Sequence, residues 1–435
     1  MEIGKKVTDA TASRMFMETA AFFNRAKYAY IIGALTQGRP LLLFARNFFA
    51  LFIRFRITRF AGMIILILTK GGLKVPREAD FLFWGDSANN QKVLKPLHDV
   101  LAKTTNYDLT WGGRPASIGF RFATLSNMRV LWRLSGQLSV HRDVNAFAAL
   151  QLLTLGTAMV FFDHALTIGR HPKVIVMAND HSPICVALRA SAQARGIKTV
   201  YRQHAPVTPS FPPLKFDLSI LFDEISKSYY TMKKWFGTVL ILSPFDSDHC
   251  PIKHIETPEV VGLCLSVVWK EMAVKQVIKE LLVRPGVTRV LLRMHPADKR
   301  DPRKLILDKR VVVQPSGQSS HEFCSQIDLA IVPNTGFVIE ALHFGTPCIY
   351  RHGMDALDYD LYGFVEEGIL PDYTGVDMSD AILPKRFFSS DWAAAFARFD
   401  ATVDQSVEAS RAQVRDALVV LHATSTACWN GIESS

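Results

Sequence analysis

The chain has 435 residues, 49% of them hydrophobic, and a formal net charge of +10. This is enough apolar material for a large buried core and too long a chain for one compact domain of ordinary size, so we expect two domains. The positive charge indicates an anionic partner, which could be nucleic acid, phospholipid headgroups or a charged substrate.

The cysteines and the first residues bear on the cellular compartment. None of the six cysteines forms a CxxC pair, so we expect free thiols and a reducing environment. The N-terminal stretch has no apolar core followed by a small-residue cleavage site, which argues against a cleavable signal peptide. We therefore expect a cytoplasmic protein.

Residues 39–70 combine basic and apolar side chains. Arginines interrupt this segment before any apolar run reaches the roughly 18 residues of a spanning helix, and no acidic residue lies between Glu18 and Glu78. Both features favour a helical arm, residues 1–77, that lies on anionic lipid at the inner face of the cytoplasmic membrane. The alternative is an arm that packs on the protein's own core with its arginines solvated.

From Asp80 onward, short apolar runs alternate with helix-like stretches, which is the pattern of a parallel sheet with crossover helices. Residues 112–172 show no clear pattern. The predicted strands of the first half are 81–86, 107–111, 174–178, 198–204, 217–222 and 239–242. A polar, turn-rich stretch from Phe245 to Pro258 then marks a domain boundary.

The same alternation resumes after this boundary. The predicted strands of the second half are 260–266, 287–293, 311–314, 329–332 and 348–350. We expect residues 78–250 and 258–390 to form two Rossmann-like α/β domains facing a cleft, the arrangement called GT-B, with C-terminal helices over 391–435 packing back on the first domain. No GxGxxG or GxxxxGK[ST] motif follows a strand, which weighs against a dinucleotide-binding or P-loop enzyme.

Polar residues follow two predicted strands of the second domain. His295 and Pro296 come directly after the strand that ends near Arg293, where an imidazole can bind a phosphate oxygen. We therefore expect Arg293, His295 and Pro296 to belong to a nucleotide-binding site. A histidine that only caps a loop is the alternative. Asn334 or Thr335 is suited to cap the next helix.

The helix that starts after Thr335 could complete a phosphate site. Gly336 would let a ligand approach the backbone, and the free N–H groups of a helix start attract anions. Glu340, one turn further on, could accept hydrogen bonds from ribose hydroxyls. Simple helix capping and a solvated glutamate would account for the same residues.

These second-domain motifs resemble the nucleotide-binding half of a known enzyme class. His295-Pro296, Asn334-Thr335 and the segment 340–347 (EALHFGTP) are similar to motifs of bacterial GT-B glycosyltransferases that build capsule and lipopolysaccharide. The closest resemblance is to the group that uses CMP-sugars, including sialyltransferases and polysialyltransferases, and to CDP-glycerol glycerophosphotransferases. It implies that His295 and Thr335 contact the donor phosphate, although Asn334 stands where a second Ser or Thr is common. The resemblance covers mainly residues 260–350, with a weaker part at 174–206.

The first domain should supply acceptor binding and the general base that an inverting transfer requires. Four residues at predicted strand ends are candidates, and the two acids are favoured over the histidines: Asp86, Asp180, His181 and His204. Each of them alone could instead cap a helix. The Asp-x-Asp spacing at Asp246 and Asp248 falls in the interdomain turn, so we expect no metal site and no cofactor beyond the nucleotide-sugar co-substrate.

The whole sequence favours a metal-independent glycosyltransferase, peripheral on the membrane, with no nucleic-acid partner. It would move a CMP-linked sugar, such as sialic acid or Kdo, to a surface polysaccharide or lipid-linked acceptor. The alternatives are a CDP-glycerol transferase and a UDP-sugar transferase or epimerase of the same fold. A non-enzymatic basic protein that binds lipid or nucleic acid also remains, and the paired strand-end motifs count against it.

Overall fold

The computed structural model shows two α/β domains, each built on one parallel sheet. It describes residues 9–23, 55–69, 79–85, 87–113, 128–137, 146–166, 171–233, 236–253, 255, 257–296, 298, 300–315, 317–357, 359–373 and 390–430. Everything below concerns this part of the chain.

The first sheet has six parallel strands in the order β2-β1-β3-β4-β5-β6. The strands are β1 (Phe81–Trp84), β2 (Leu109–Gly112), β3 (Val174–Met177), β4 (Lys198–Arg202), β5 (Lys215–Leu221) and β6 (Phe236–Ile241). Every residue of β1 and β3 is buried, because helices cover both faces of a parallel sheet. The chain turns from β1 outward to β2 and then back to β3, so the order of the strands reverses between β1 and β3. Ligands of open α/β sheets bind outside the carboxyl ends of the strands at such a point.

Seven helices accompany this sheet in the described residues before β6. They are α1 (Asp9–Phe23), α2 (Arg56–Thr69), α3 (Ala88–Thr104), α4 (Met128–Gln137), α5 (Ala146–Ala165), α6 (Pro183–Gln193) and α7 (Glu224–Thr231). Buried side chains of α1, α2, α4, α5 and α6 form one apolar core with β1 and β3. Part of the predicted N-terminal arm is thus folded into the first domain.

Helix α5 explains why its own part of the stretch 112–172, Ala146–Ala165, shows no pattern in the sequence. A helix that is apolar all round has no polar stripe, and it is buried on all sides in the folded protein. Among the described residues, its window Ala148–Ala165 is the one helical segment long and apolar enough to cross a membrane, and 72% of that window is buried inside the protein. The segment serves as a core helix here.

The second sheet has five parallel strands in the order β11-β10-β7-β8-β9. The strands are β7 (Val260–Cys264), β8 (Arg289–Arg293), β9 (Val311–Val313), β10 (Leu329–Val332) and β11 (Cys348–Tyr350). The accompanying helices are α8 (Glu271–Leu282), α9 (Ser320–Ser325), α10 (Phe337–His343) and α11 (Ser390–Ala397). The strand order reverses between β7 and β10. The predicted fold class, two Rossmann-like domains as in GT-B enzymes, is confirmed.

The last helix, α12 (Val407–Asn430), returns to the first domain. Its Val414 and Leu418 share a buried cluster with residues of β1 and β3. Its His422 places Nε2 2.8 Å from Oδ1 of Asp80, to which Lys173 also donates at 2.7 Å. Burial opposes ionisation of Asp80, but the hydrogen bonds from Lys173 and His422 outweigh it and lower the pKa of that carboxyl to about 2.

The segment between the domains makes structural contacts. Asp246 forms an ion pair with Arg411 of α12. The hydroxyl of Ser247 lies 3.2 Å from Nε2 of His343 in α10. The linker is therefore held by elements of both domains.

Candidate functional site

A histidine backed by a buried carboxylate follows β3. Nδ1 of His181 lies 2.8 Å from Oδ1 of Asp180, and the hydroxyl of Tyr230 donates to Oδ2 of Asp180 at 2.7 Å. Burial by itself would raise the pKa of Asp180, but the hydrogen bonds from His181 and Tyr230 hold it below its ordinary value. The carboxylate is therefore ionised at neutral pH and fixes the imidazole with Nε2 directed away from it.

Exposure separates the two members of this pair. The side chain of Asp180 is 1% exposed and that of His181 is 15% exposed. The sequence ranks Asp180 above His181 as the general base, and that ranking stays a prediction. Of the two side chains, the imidazole is the more accessible to solvent.

The turn after β3 holds this arrangement in place. The side-chain oxygen of Asn179 accepts hydrogen bonds from the backbone N–H of His181 at 3.0 Å and of Ser182 at 2.6 Å. Ser182 in turn caps α6 by accepting from the N–H of Cys185. Local capping chemistry thus fixes the position from which His181 projects.

Aromatic rings surround His181. Its ring centroid lies 4.8 Å from that of Phe22 at the end of α1, 5.1 Å from Phe211 and 6.2 Å from His204. His181 and His204 follow β3 and β4, which are neighbours in the sheet, so both histidines lie at the carboxyl edge of the first sheet. Asp86, the fourth candidate, lies outside the described residues.

The two residues before His204 are structural. The guanidinium of Arg202 donates to the carbonyl oxygens of Leu242 at 2.6 Å and Ser243 at 3.0 Å, which joins the ends of β4 and β6. Gln203 accepts from the N–H of Phe222 at 2.8 Å. Of the Arg202-Gln203-His204 element, the histidine alone is not buried.

In the second domain, a cluster of polar contacts anchors the loop that carries His295. Trp269 Nε1 donates to Oδ2 of Asp298 at 2.6 Å, and Arg300 pairs with the same carboxylate at 2.7 Å. Asp298 donates its backbone N–H to the carbonyl oxygen of His295 at 2.8 Å. The loop after β8 is thereby fastened to the loop after β7, beside the point where the strand order reverses.

The charge of His295 follows from its surroundings. Partial burial lowers the pKa of the imidazole, and the nearby Asp298 opposes that effect without cancelling it. His295 is therefore predominantly neutral at pH 7, so it would act on a phosphate as a hydrogen-bond donor. Pro296 next to it is exposed.

Arg293 is committed to its own domain. It donates to the carbonyl oxygen of Gln318 at 3.2 Å and to the hydroxyl of Ser320 at 3.2 Å, and its guanidinium lies 5.2 Å from the ring centroids of Phe323 and Phe337. These contacts secure the start of α9. If Arg293 contacts a phosphate as predicted, it does so while its guanidinium also holds the start of α9.

Asn334 is buried and does not cap α10. Its Nδ2 donates to the hydroxyl of Tyr350 and to the carbonyl oxygen of Tyr359, both at 3.1 Å, and its Oδ1 accepts from the N–H of Leu361 at 2.7 Å. Of the two residues predicted to cap the helix, Asn334 or Thr335, Asn334 does not do so, because its side chain turns inward to hold the loop after β11. The cap residue is Gly336.

Thr335, Gly336 and Glu340 lie at the start of α10. The hydroxyl of Thr335 accepts from the N–H of Phe337 at 3.3 Å, so Thr335 does satisfy one donor of the helix start. Glu340 is partly buried, and no hydrogen bond to its carboxylate is found within the described residues. Thr335 and Glu340 thus present oxygen atoms near the carboxyl end of β10.

Gly336 brings the two domains into contact. A Cβ atom at this position would lie 3.0 Å from Cγ of Pro206, two residues after His204. The loop after β4 therefore meets the helix start after β10. Candidate residues from both domains are brought to one interdomain region by this contact.

A cavity beside this contact is lined by both domains. Its lining residues are Pro206, Val207, Asp223, Ile225, Ser226, Ile339, Tyr362, Phe364 and Phe399. Burial raises the pKa of Asp223 to about 7, with the charges of Asp400 and Glu224 acting in the same direction and the N–H of Ser226 opposing them.

Sequence reasoning missed Asp223 and Tyr230. An aspartate directly before a helical stretch is a recognisable capping pattern, and Asp223 does accept from the N–H of Ser226 at 2.6 Å. Tyr230 has no local pattern, because its partner Asp180 is 50 residues away in the chain.

Comparison with known proteins gives structural similarity only. The chain matches no protein-family model, and no curated protein matches it in sequence. A Staphylococcus aureus MnaA structure with UDP has 11% identity and a TM-score of 0.46, with 77% of this chain and 94% of that chain covered. The calicheamicin glycosyltransferase CalG4 has 13% identity and a TM-score of 0.49, with 80% and 98% covered.

A further solved structure has a similar degree of likeness. The spinosyn rhamnosyltransferase SpnG, complexed with thymidine diphosphate, has 12% identity and a TM-score of 0.42, with 77% of this chain and 98% of that chain covered. All three are close to full length in the alignment and remote in sequence. They are similar to this chain in fold, and its chemistry has to be argued from its own residues.

Proposed function

We propose that this chain is a glycosyltransferase of GT-B architecture that moves a sugar from a nucleotide donor to a hydroxyl group of an acceptor. The observation that supports this best is the His181–Asp180–Tyr230 chain of hydrogen bonds at the carboxyl edge of the first sheet. A buried carboxylate behind an accessible imidazole is the arrangement that a general base needs. His295 and Thr335 lie at the corresponding edge of the second sheet.

The reaction follows from these positions. Nε2 of His181 accepts the proton of the acceptor hydroxyl as its oxygen bonds to the anomeric carbon. The bond between that carbon and the donor phosphate oxygen breaks, and its electron pair leaves with the nucleotide. Asp180 stabilises the imidazolium that forms, because its carboxylate is ionised and lies 2.8 Å from Nδ1. His181 then releases the proton to solvent.

The second domain would hold the leaving nucleotide. His295 donates a hydrogen bond to a phosphate oxygen, Thr335 offers its hydroxyl, and Glu340 can accept from ribose hydroxyls. The described arginines near this edge, Arg293 and Arg300, are engaged by other protein groups. A neutral histidine and a hydroxyl suit a leaving group with a single phosphate better than a diphosphate, so we propose a CMP-linked sugar as donor.

The acceptor in this proposal is a bacterial surface polysaccharide or its lipid-linked precursor. Two features of the chain support it: the resemblance of the segment 340–347 to enzymes of capsule and lipopolysaccharide synthesis, and the net charge of +10, which favours anionic partners. The protein would act in the cytoplasm.

Thermal unfolding with a panel of nucleotides tests the donor. CMP, CDP-glycerol, UDP and UDP-glucose are added one at a time. Binding is detectable because a ligand at 100 times its Kd stabilises the folded state by about 2.7 kcal/mol. We expect CMP to raise the Tm of the wild type and to raise that of His295→Gln much less. His164→Gln, at the far end of α5, is the matched control.

Each other outcome changes the proposal in a defined way. Stabilisation by UDP but not CMP would replace the donor with a UDP-sugar, and stabilisation by CDP-glycerol alone would indicate a glycerophosphotransferase. Conversion of a nucleotide-sugar in the absence of any acceptor would indicate an epimerase. No stabilisation by any nucleotide would overturn the proposed transferase.

A further inference from the structure

The outer face of helices α2 and α4 exposes large apolar side chains. Phe55, just before α2, and Ile57 are each 66% exposed, and Trp132 of α4 is 41% exposed. Ile65 and Met128 on the same two helices are also exposed. Such side chains clustered on adjoining helices mark an interaction surface more often than isolated ones do.

The opposite sides of these helices are buried. Met63 and Ile67 of α2 and Leu131 and Leu134 of α4 belong to the core of the first domain. Ile57, Ala61 and Ile65 are spaced four residues apart and are all accessible, so they form one stripe along α2. The outer apolar residues are therefore additional to those that the fold uses.

The two helices form one continuous surface. The guanidinium of Arg56 lies 4.4 Å from the ring centroid of Trp132 and donates to its carbonyl oxygen at 3.0 Å. The rings of Phe60 and Trp132 meet edge to face at 5.3 Å. The start of α2 is thus fixed beside the middle of α4.

The charged residues of the two helices α2 and α4 have a single sign. Arg56, Arg129 and Arg133 are exposed on this surface, and neither α2 nor α4 contains an aspartate or glutamate. A face that mixes arginine with tryptophan, phenylalanine and aliphatic side chains is suited to the headgroup region of a bilayer, where the apolar parts enter the acyl boundary and the guanidinium groups meet phosphate.

We propose that this face, formed by Phe55, Arg56, Ile57, Met128, Arg129, Trp132 and Arg133, docks the protein on a bilayer of anionic phospholipid. Nucleic acid would use the arginines but leave no role for the exposed isoleucine and methionine side chains. The sequence predicts membrane contact through residues 39–70. The face defined here shares only Phe55, Arg56 and Ile57 with that segment and adds residues of α4, and it does not depend on the proposed sugar transfer.

Vesicle co-sedimentation of the full chain tests this proposal without any sugar or nucleotide. We expect binding to vesicles of phosphatidylglycerol and phosphatidylcholine, weaker binding at high salt, and little binding to phosphatidylcholine alone. The double variant Arg129→Gln/Arg133→Gln should weaken binding by roughly fivefold per charge removed. Phe55→Ser/Ile57→Ser should weaken it by a factor that salt does not change.

The second domain provides a matched control. Met272→Ser/Val283→Ser removes two side chains of similar size that are also strongly exposed, at the two ends of α8, and it should bind vesicles as the wild type does. All of the substituted positions are exposed, so unfolding midpoints should remain close to that of the wild type.

Three results would overturn the proposal. The first is equal vesicle binding by the wild type and both face variants. The second is that short duplex DNA, added at equal charge, competes with the vesicles and removes binding. The third is that the protein does not bind lipid but forms a dimer that depends on the same residues. The last result would make the face a contact between copies of the chain.

Discussion

Nδ1 of His343 lies 2.7 Å from Oδ2 of Asp400, and both side chains are completely buried between the two domains. The ring of Phe245 stacks on His343 with centroids 3.7 Å apart. Oδ1 of Asp400 accepts from the hydroxyl of Thr402 at 2.8 Å. One polar cluster therefore joins α10, the interdomain linker and the segment that leads to α12.

Breaking this pair should destabilise the whole protein. Asp400→Asn removes the carboxylate that is hydrogen-bonded to the buried His343, and the loss of a hydrogen bond to a charged group costs about 2 kcal/mol. Burial opposes ionisation of Asp400, but the hydrogen bond from His343 keeps its pKa below the ordinary value. The stability that this carboxylate contributes is therefore present above about pH 4 and is lost as the pH falls further.

Urea unfolding at pH 7 and pH 3 measures this effect. The difference in the free energy of unfolding between wild type and Asp400→Asn should be large at pH 7 and smaller at pH 3. Asp404→Asn, a nearby exposed position, serves as the control. A difference that is the same at both pH values would show that the charge of Asp400 is not what stabilises the cluster.

Substitution of His181 should remove the chemical step and leave donor binding intact. His181→Gln has no imidazole nitrogen to accept the proton of the acceptor hydroxyl, so we expect turnover to fall by roughly 10²- to 10⁴-fold. Asp180→Asn retains the imidazole but not the charge behind it, and turnover should fall by a smaller factor. Initial rates at saturating donor report the chemical step, and a separate measurement of the donor Kd reports donor binding. Wild-type turnover in His181→Gln would exclude this histidine as the base.

Tyr230 should affect how strongly Asp180 stabilises the protonated imidazole of His181. Tyr230→Phe removes the hydroxyl that donates to Oδ2 at 2.7 Å, so the carboxylate interacts more strongly with His181 and stabilises its imidazolium. We expect the acidic limb of the pH–rate profile to move to higher pH. A lower Tm with an unchanged pH–rate profile would assign Tyr230 a structural role only.

Gly336 and Pro206 should be energetically coupled across the domain boundary. Gly336 has φ −67°, so an added Cβ causes no backbone strain, but it would lie 3.0 Å from Cγ of Pro206. Gly336→Ala should therefore destabilise by about 1 kcal/mol, and Pro206→Ala in the same chain should recover most of that loss. A double-mutant cycle by chemical unfolding measures the coupling. If the changes in the free energy of unfolding of the two single variants simply add in the double variant, positions 336 and 206 are not in contact in solution.

Asp223 should make the protein less stable as pH rises. Its folded-state pKa of about 7 lies above the value of roughly 4 for an unfolded aspartate. The folded state binds the proton more tightly, so stability declines from about pH 4 to pH 7 and stays lower above that range.

The amide variant isolates this carboxyl. Asp223→Asn cannot ionise and can still cap α7, so at pH 8 it should be more stable than wild type by at least ~1 kcal/mol. The two proteins should converge near pH 4. Glu224→Gln, the exposed neighbour, is the control in urea unfolding at both pH values. An equal difference at pH 4 and pH 8 would contradict the role of ionisation.

The sequence predicts the strands well for a physical reason. Buried strands of a parallel sheet are continuous apolar runs, and β10 and β11 begin and end where the sequence predicts them. Helix α5 is missed because it is buried on every side and therefore has no polar stripe to reveal its period.

The polar contacts are harder to foresee, because they join distant segments. Asp180 and Tyr230 are 50 residues apart, and His343 and Asp400 are 57 residues apart. Asn334 shows the same limit, since its local pattern suits a helix cap while its actual partners lie at the end of β11 and in the loop that follows it. Local chemistry predicts which residues can form a site, and the tertiary fold decides which of them remain available.

The return of α12 to the first domain has a mechanical consequence. The chain passes from one domain to the other twice, through the linker near Phe245 and again near Asp400, and both passages meet at the same buried cluster. Two domains whose two chain connections meet in one buried cluster are held together at that cluster, so any rotation of one domain against the other would pivot near His343 and Asp400.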